Sequence, residues 1–133
     1  MKAFPDSFRN AVLSGTHNLV SDTVVAVAID LGVFTPTLAM DFFNDVTTGV
    51  ISSVTVTGKT VGTGGVGLWT HADAIFPLVT GNSFEQILYY KSTGVSSTSP
   101  LIVWNDQFTP VVPNGENVGL LVPSGVFQLL QAP

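Results

Sequence analysis

The chain has no cysteine and few charged residues. Its 133 residues include four Lys or Arg and nine Asp or Glu, which gives a net charge of −5. Without cysteine there is no disulfide framework and no thiol chemistry, which is compatible with a reducing cytoplasm. Without a basic stripe the protein cannot displace counterions from phosphates, so we expect no nucleic-acid partner.

Long hydrophobic runs are also missing. The longest, VVAVAI at residues 24–29, is far shorter than the ~20 apolar residues that cross a bilayer as a helix. The N-terminal sequence MKAFPDSFRN lacks the apolar run of a signal peptide. We therefore expect no membrane partner.

Catalytic and cofactor motifs are absent as well. The Gly-rich segment TGKTVGTGGVG at residues 57–67 lacks the order of a phosphate-binding loop, because Lys59 precedes most of the glycines. There is no Gly-x-Ser-x-Gly elbow. We predict that the protein is not an enzyme and uses no cofactor or metal.

Isolated acidic and histidine residues leave a weaker hydrolase hypothesis. His71 and Asp73 are predicted to share a strand face, where a hydrogen-bonded or solvated pair is favoured over a metal site. Asp41 and Asp45 have helical spacing, and the polar side of a helix is favoured over paired carboxylates. A hydrolase would have to use Asp41, Asp45 or His71.

The residues that are abundant favour strands and turns. The chain has 13 glycines, 8 prolines and 45% hydrophobic residues, with many Thr, Ser and Val. We predict one domain over residues 1–133 that is mainly β. Its expected architecture is a β-sandwich or distorted barrel of six to eight strands, with one or two short helices.

The stretch from Ser83 to Phe108 is predicted to form the centre of the fold. It contains two apolar strands, FEQILYYK and LIVWNDQF, joined by the loop STGVSSTSP. Neither strand alternates apolar and polar residues in its middle, so both should be covered on two sides. Ile102 and Trp104 are predicted to share one face. The aromatic side chains, Tyr89 and Tyr90 among them, favour the core over an exposed carbohydrate platform.

Other elements follow from periodicity and from turn residues. The predicted elements are a helix at Pro5–Ser14, a central strand at Thr23–Leu31, a helix at Thr37–Val46, a half-exposed strand at Val50–Thr57, a strand at Leu68–Phe76, and a terminal hairpin of Asn117–Val122 with Val126–Leu130.

Two segments are candidates for protein contacts. The helix within residues 1–15 carries an apolar stripe that must cover either its own sheet or a neighbouring subunit. The loop Ser92–Pro100 is rich in Ser and Thr and is expected to be exposed. The candidate contact residues are Phe4, Phe8, Val12, Ser92, Thr93, Val95, Ser97 and Thr98.

Several segments resemble a family of small virion structural proteins of tailed bacteriophages. The strongest points are HNLVSDTVVAVAI, the combination YYKSTG…SPLI…W, and PNGE before the last strands. The likeness covers about residues 8–130. In the middle the chain differs, because Val50–Gly67 is shorter than the family's Gly-Tyr-rich stretch and lacks tyrosine.

The resemblance implies a role without catalysis. The expected protein is a capsid decoration or cement protein in the virion, assembled in the host cytoplasm. Its partners would be the major capsid protein or copies of itself, often as trimers. The low charge independently favours association. The alternative is a tail or fibre component that binds a host-surface glycan through Ser92–Pro100 or exposed aromatics.

Overall fold

The structure, a computed structural model, describes residues 2–62, 68–122 and 126–128. Within these ranges ten strands form three antiparallel sheets beside one α-helix, so the predicted mainly β class is confirmed. The strand number exceeds the predicted six to eight because several strands have two or three residues. The elements are β1 (Lys2–Ala3), α1 (Asp6–Ser14), β2 (Val24–Ile29), β3 (Val50–Thr55), β4 (Thr60–Val61), β5 (Leu68–Thr70), β6 (Ala74–Phe76), β7 (Gln86–Lys91), β8 (Leu101–Asn105), β9 (Val118–Leu120) and β10 (Phe127–Gln128).

A five-stranded sheet with the order β1-β8-β7-β2-β3 forms the middle of the fold. β7 lies at its centre and pairs with β8 on one side and β2 on the other. Every residue of β2 is buried. The prediction that these three apolar segments are central strands is confirmed. β3 is an edge strand with a mixed burial pattern, as its Ser and Thr residues predicted.

Both faces of this sheet are covered. One face packs against α1 and the smaller sheets, β10-β5-β4 and β6-β9. The other face is covered by the segment from Leu31 to Val46. Successive residues of β2 alternate between the two cores, since neighbouring side chains of a strand point to opposite faces. Two covering layers explain why the central strands lack polar residues.

A bulge in β8 places Ile102 and Trp104 on opposite faces of the sheet, contrary to prediction. Tyr89 pairs with Val103 and Tyr90 with Leu101, so Ile102 is an extra residue in its strand. Ile102 therefore packs on the α1 side, whereas Trp104 packs on the opposite side. The prediction that these two side chains share a face is wrong, because a bulge shifts the alternation.

The helix predicted at Thr37–Val46 is also wrong. The segment forms a single 3-10 turn at Phe43–Asp45. Its backbone pairs instead with the end of the loop before β8: Phe43 N donates to Ser99 O at 2.8 Å, and Leu101 N donates to Asp41 O at 3.0 Å. These tertiary hydrogen bonds replace the bonds that a helix would make.

The strand predicted at Leu68–Phe76 is divided into β5 and β6, which belong to different sheets. The predicted terminal hairpin does not form either. β9 pairs with β6, and β10 pairs with β5. The two segments therefore each find a partner in the 68–76 region. The predicted turn at residues 123–125 and the residues 129–130 lie outside the described residues.

The helix α1 begins after Pro5 and ends at Gly15, as predicted. Gly15 has φ +74° and donates its backbone N–H to Val12 O, which is the left-handed conformation that glycine adopts most easily. In the parts of the chain that the structure describes, no helix has the length and apolar character that a membrane crossing requires.

Candidate functional site

The two segments predicted to make contacts lie side by side. Helix α1 and the loop at residues 92–100 flank a cleft of about 340 Å³, which we call the helix–loop cleft. Ser7 and Ala11 line it from the helix, and Thr93 and Thr98 line it from the loop. The fold therefore joins two regions that are far apart in the sequence.

Hydroxyl groups shape the loop wall. Thr93 N donates to Ser99 Oγ at 3.0 Å, and Ser99 Oγ donates to Val95 O at 2.8 Å. The hydroxyls of Thr93 and Thr98 are 2.6 Å apart. Ser99 is buried, so its side chain replaces backbone partners inside the turn. This internal network accounts for the Ser and Thr content of the loop.

The opposite wall contains buried polar atoms without partners. Within the described residues, Nδ1 and Nε2 of His17 and Oγ of Ser7 are buried and make no hydrogen bond. The His17 ring stacks on Phe8 with 5.6 Å between ring centroids. Burial lowers the pKa of His17, and the nearby Lys91 cation lowers it further against the opposing effect of Asp22. His17 is therefore neutral at pH 7.

The charged groups beside the cleft are largely engaged with one another. Lys91 Nζ lies 3.2 Å from Asp22 Oδ2, and Asp22 also accepts a hydrogen bond from Asn18 N at 2.9 Å. Lys59 Nζ donates to the carbonyl oxygen of Asp22. Asp41 lines the cleft and is exposed. The site has no net positive field for an anion.

Asp41 and Asp45 have different roles. Asp45 Oδ2 accepts the backbone hydrogens of Asp41 at 2.9 Å and Phe42 at 3.2 Å, so its carboxylate holds the 3-10 turn. Phe42 lines the cleft with 38% of its surface exposed. This arrangement differs from a pair of catalytic carboxylates that share a substrate.

The candidate contact residues of the helix cover their own sheet. Phe8 is 1% exposed, and Phe4 and Val12 pack against the same core. The apolar stripe of the helix therefore covers its own sheet, which is one of the two alternatives that the sequence left open. The loop residues are accessible: Thr93, Val95, Ser97 and Thr98 are exposed, and Ser92 is half-buried.

His71 lies between β5 and β6, where the predicted strand is interrupted, rather than on a strand face with Asp73. Its Nδ1 is 2.7 Å from Ala72 O, and its Nε2 is 2.9 Å from the Tyr89 hydroxyl. Since a carbonyl can only accept, Nδ1 carries the hydrogen and Nε2 accepts from Tyr89. Burial lowers the pKa of His71 and raises the pKa of Tyr89. This histidine has a structural role.

The remaining aromatic candidates belong to the core, as predicted. Tyr90 stacks on Phe43 with 4.1 Å between ring centroids, and Trp104 is buried. Across the described residues, no group of three or more His, Asp and Glu side chains is placed to hold a metal ion.

Sequence reasoning missed an exposed apolar surface on the β6–β9 ribbon. Ile75 pairs with Gly119 across the ribbon. Leu121 comes two residues after Gly119, so its side chain lies on the same side of the ribbon as Ile75. We use the name ribbon face for Ile75 and Leu121 together with Leu78 in the turn that follows β6. Their exposed fractions are 56%, 67% and 72%. This surface was missed because the sequence pattern pairs residues 117–122 with residues 126–130 rather than with β6.

The backbone of Leu78 is in the left-handed region, with φ +46°. Its N–H donates to Asn117 Oδ1 at 3.0 Å, and the next residue, Val79, donates to Glu116 O at 2.9 Å. These bonds hold the turn that presents the Leu78 side chain to solvent. Such conformations are uncommon for residues other than glycine and raise the question of function.

No protein-family model matches this chain, and no curated protein matches it at a significant level. The surfaces of the molecule and the resemblance in its sequence are therefore the guides to its function. Two surfaces are candidates: the ribbon face, which is apolar, and the helix–loop cleft, which has a mainly apolar lining with a few polar side chains.

Proposed function

We propose that the protein is a structural component of a tailed-bacteriophage virion, and specifically a capsid decoration or cement protein. Its partners would be the major capsid protein and further copies of itself, with a trimer as the arrangement that the resemblance implies. It would act by binding across subunits of the shell and would catalyse no reaction.

The exposed ribbon face carries this proposal. Ile75 lies in β6, Leu78 in the turn after β6, and Leu121 directly after β9. Each of these large apolar side chains has more than half of its surface exposed. A folded protein gains stability by removing such a surface from water, so contiguous apolar patches commonly mark protein–protein interfaces. The low number of charged residues supports the same conclusion, because interface centres are depleted in charge.

The strained backbone of Leu78 gives further support. A non-glycine residue in the left-handed conformation costs about 1–2 kcal/mol. An exposed leucine makes few internal contacts that offset this cost. A contact with a partner would account for the presence of leucine at a position that suits glycine or asparagine.

Location in the particle tests the proposal directly. Antibody against the purified protein, followed by gold labelling of intact particles of the phage that encodes it, should label the head. Heads that lack the protein should lose heat resistance and recover it when the protein is added back. Labelling of the tail, or equal heat resistance with and without the protein, would contradict the decoration role.

Variants of the ribbon face test the surface itself. Ile75→Ser and Leu121→Ser should reduce binding to stripped heads by at least tenfold. Leu13→Ser is the matched control, because Leu13 is an exposed leucine at the end of α1. Equal binding by all three variants would place the interface elsewhere.

A second candidate is a tail or fibre component that binds a host-surface glycan. The observation in its favour is the helix–loop cleft, which lies beside the exposed loop at residues 92–100. Tail labelling together with binding to host cells would favour this candidate, and head labelling without cell binding would remove it.

A further inference from the structure

Several buried polar atoms beside the helix–loop cleft make no hydrogen bond. The two ring nitrogens of His17 and Oγ of Ser7 are buried without partners in the described part of the chain, and both residues line this one cleft. Buried polar atoms are normally hydrogen-bonded, so each exception requires an explanation. Three exceptions at one cleft point to a ligand or an ordered water that belongs there.

We propose that the helix–loop cleft binds one unit of a neutral saccharide. The proposal goes beyond the structural role in the virion and does not depend on it, because it concerns the chemistry of the cleft alone. It also supplies residues for the glycan-binding candidate without requiring a location in the tail.

Neutral ligands fit the charges of the site. Burial and the Lys91 cation keep His17 neutral, so one ring nitrogen donates and the other accepts. Lys91 is paired with Asp22, and Asp41 adds a carboxylate at the cleft. An anionic ligand would meet Asp41 and no free cation among the described lining residues, so an anion is disfavoured.

The hydroxyl groups of a ligand would match the hydrogen-bond donors and acceptors of the cleft. The His17 ring offers one donor and one acceptor, the hydroxyl of Ser7 offers both, and the carboxylate of Asp41 accepts. The Thr93 hydroxyl is fully used by Val95, Thr98 and Ser99, whereas the Thr98 hydroxyl donates to Val95 O and bonds to Thr93, which leaves it one free lone pair. A ligand with several hydroxyls both donates and accepts at each oxygen, whereas at pH 7 an ammonium group only donates and a carboxylate only accepts.

The size and the apolar lining also fit a sugar ring. A volume of about 340 Å³ lies at the lower end of the ~300–1,000 Å³ range of small-molecule sites. The partly exposed Phe42 ring, with Ala11 and Pro100, provides an apolar surface for the C–H face of a sugar. Small-molecule sites combine such surfaces with a few placed polar groups.

Because the unpartnered atoms are buried, a ligand in the cleft cannot contact them without a rearrangement. The ring nitrogens of His17 have almost no surface exposed to solvent. A sugar hydroxyl would contact Asp41 or Thr98 directly, and would engage Ser7 and His17 after a rotation of their side chains. The His17 ring is therefore the most specific reporter of binding.

The test is a titration of the full chain with neutral and acidic sugars. The neutral probes are glucose, galactose, mannose, N-acetylglucosamine and lactose, and the acidic probes are sialic acid and glucuronic acid, with inorganic phosphate as a further anion. Binding is followed by amide chemical shifts and by the ring ¹⁵N shifts of His17. We expect at least one neutral sugar to shift Ser7, His17 and Thr98.

Matched variants locate the site. Thr98→Val removes a hydroxyl without a change of size, and Phe42→Ala removes the aromatic surface. Each should weaken binding at least tenfold. Thr109→Val is the control, because Thr109 is exposed and does not line the cleft. Thermal unfolding of each variant shows whether its fold is retained, and Thr98, which is exposed, should tolerate the change.

Several outcomes would overturn the proposal. These are the absence of binding by every neutral sugar, binding of phosphate or acidic sugars alone, and shifts that lie outside the cleft. Equal affinity of Thr98→Val, Phe42→Ala and Thr109→Val would also overturn it. None of these results bears on head labelling, so the saccharide site and the virion role can fail separately.

Discussion

Tyr89 donates its hydroxyl hydrogen to Nε2 of His71 across 2.9 Å in the core. The bond joins the central strand β7 to the break between β5 and β6. The other ring nitrogen of His71 donates to Ala72 O, which fixes the ring and its tautomer. The two rings and Trp69 also contact one another, with centroids 5.5–5.7 Å apart. This cluster positions the two small sheets against the central sheet.

Tyr89→Phe should lower the free energy of unfolding by about 1–3 kcal/mol, because Nε2 of His71 would remain buried without a donor. Urea unfolding measures the change. Tyr90→Phe is the control: Tyr90 is half-buried and stacks on Phe43, so removal of its hydroxyl should cost under about 0.5 kcal/mol. Equal effects of the two variants would show that the hydrogen bond to His71 adds nothing.

The free energy of unfolding should decrease as the pH falls below about 6.5. The pKa of His71 is lowered by burial in the folded state, so the unfolded chain binds a proton first on acidification. The stabilisation is present above the ordinary histidine pKa and is lost as the pH falls towards the folded value. His17 should act in the same direction.

Ring signals in NMR spectra separate the two histidines. Both should titrate below pH 6.5 in the folded protein, and His17→Gln should reduce the pH dependence of unfolding without abolishing it. A folded-state titration of His71 above pH 6.5 would contradict the assignment of its neutral, hydrogen-bonded form.

Ser99→Ala should loosen the loop at residues 92–100. The Ser99 hydroxyl accepts from Thr93 N and donates to Val95 O while it is buried, so its removal leaves two backbone groups without this partner. We expect a loss of about 1–2 kcal/mol and faster amide hydrogen exchange at Thr93. Ser97→Ala, at an exposed serine of the same loop, should change neither quantity.

Leu78→Asn should separate stability from association. Asparagine adopts the left-handed conformation more readily than leucine, so the variant should be as stable as the parent or more stable by up to ~1 kcal/mol. It should nevertheless bind stripped heads more weakly. Leu121→Asn should weaken binding without any gain in stability. A Leu78→Asn protein that binds as tightly as the parent would remove Leu78 from the interface.

The central strands could be predicted from sequence because their environment is uniform. Residues 24–29, 86–91 and 101–105 are covered on both faces, and burial of this kind gives continuous apolar runs. The helix α1 was also predictable, since Pro5 and Gly15 mark its ends. Local patterns and the final structure agree at these places.

Other predictions failed where distant contacts override local preference. Residues 37–46 have helical spacing, but their backbone pairs with residues 99–101. The strand predicted over 68–76 is divided where His71 bonds to Tyr89. The helix–loop cleft was equally hidden, because it joins α1 to a loop some eighty residues further along the chain. Exposure of the loop residues could be predicted, whereas their neighbours could not.

The strand order also constrains how the polypeptide reaches this state. Among the described strands, four of the seven pairings join strands that are not consecutive: β1 with β8, β2 with β7, β5 with β10 and β6 with β9. Chains with such non-local topology fold slowly, commonly in milliseconds to seconds. During synthesis, VVAVAI of β2 emerges long before β7, and an uncharged hexamer with four β-branched residues is prone to aggregate. Production at low temperature, or with a chaperone that shields this hexamer, should increase the yield of folded material.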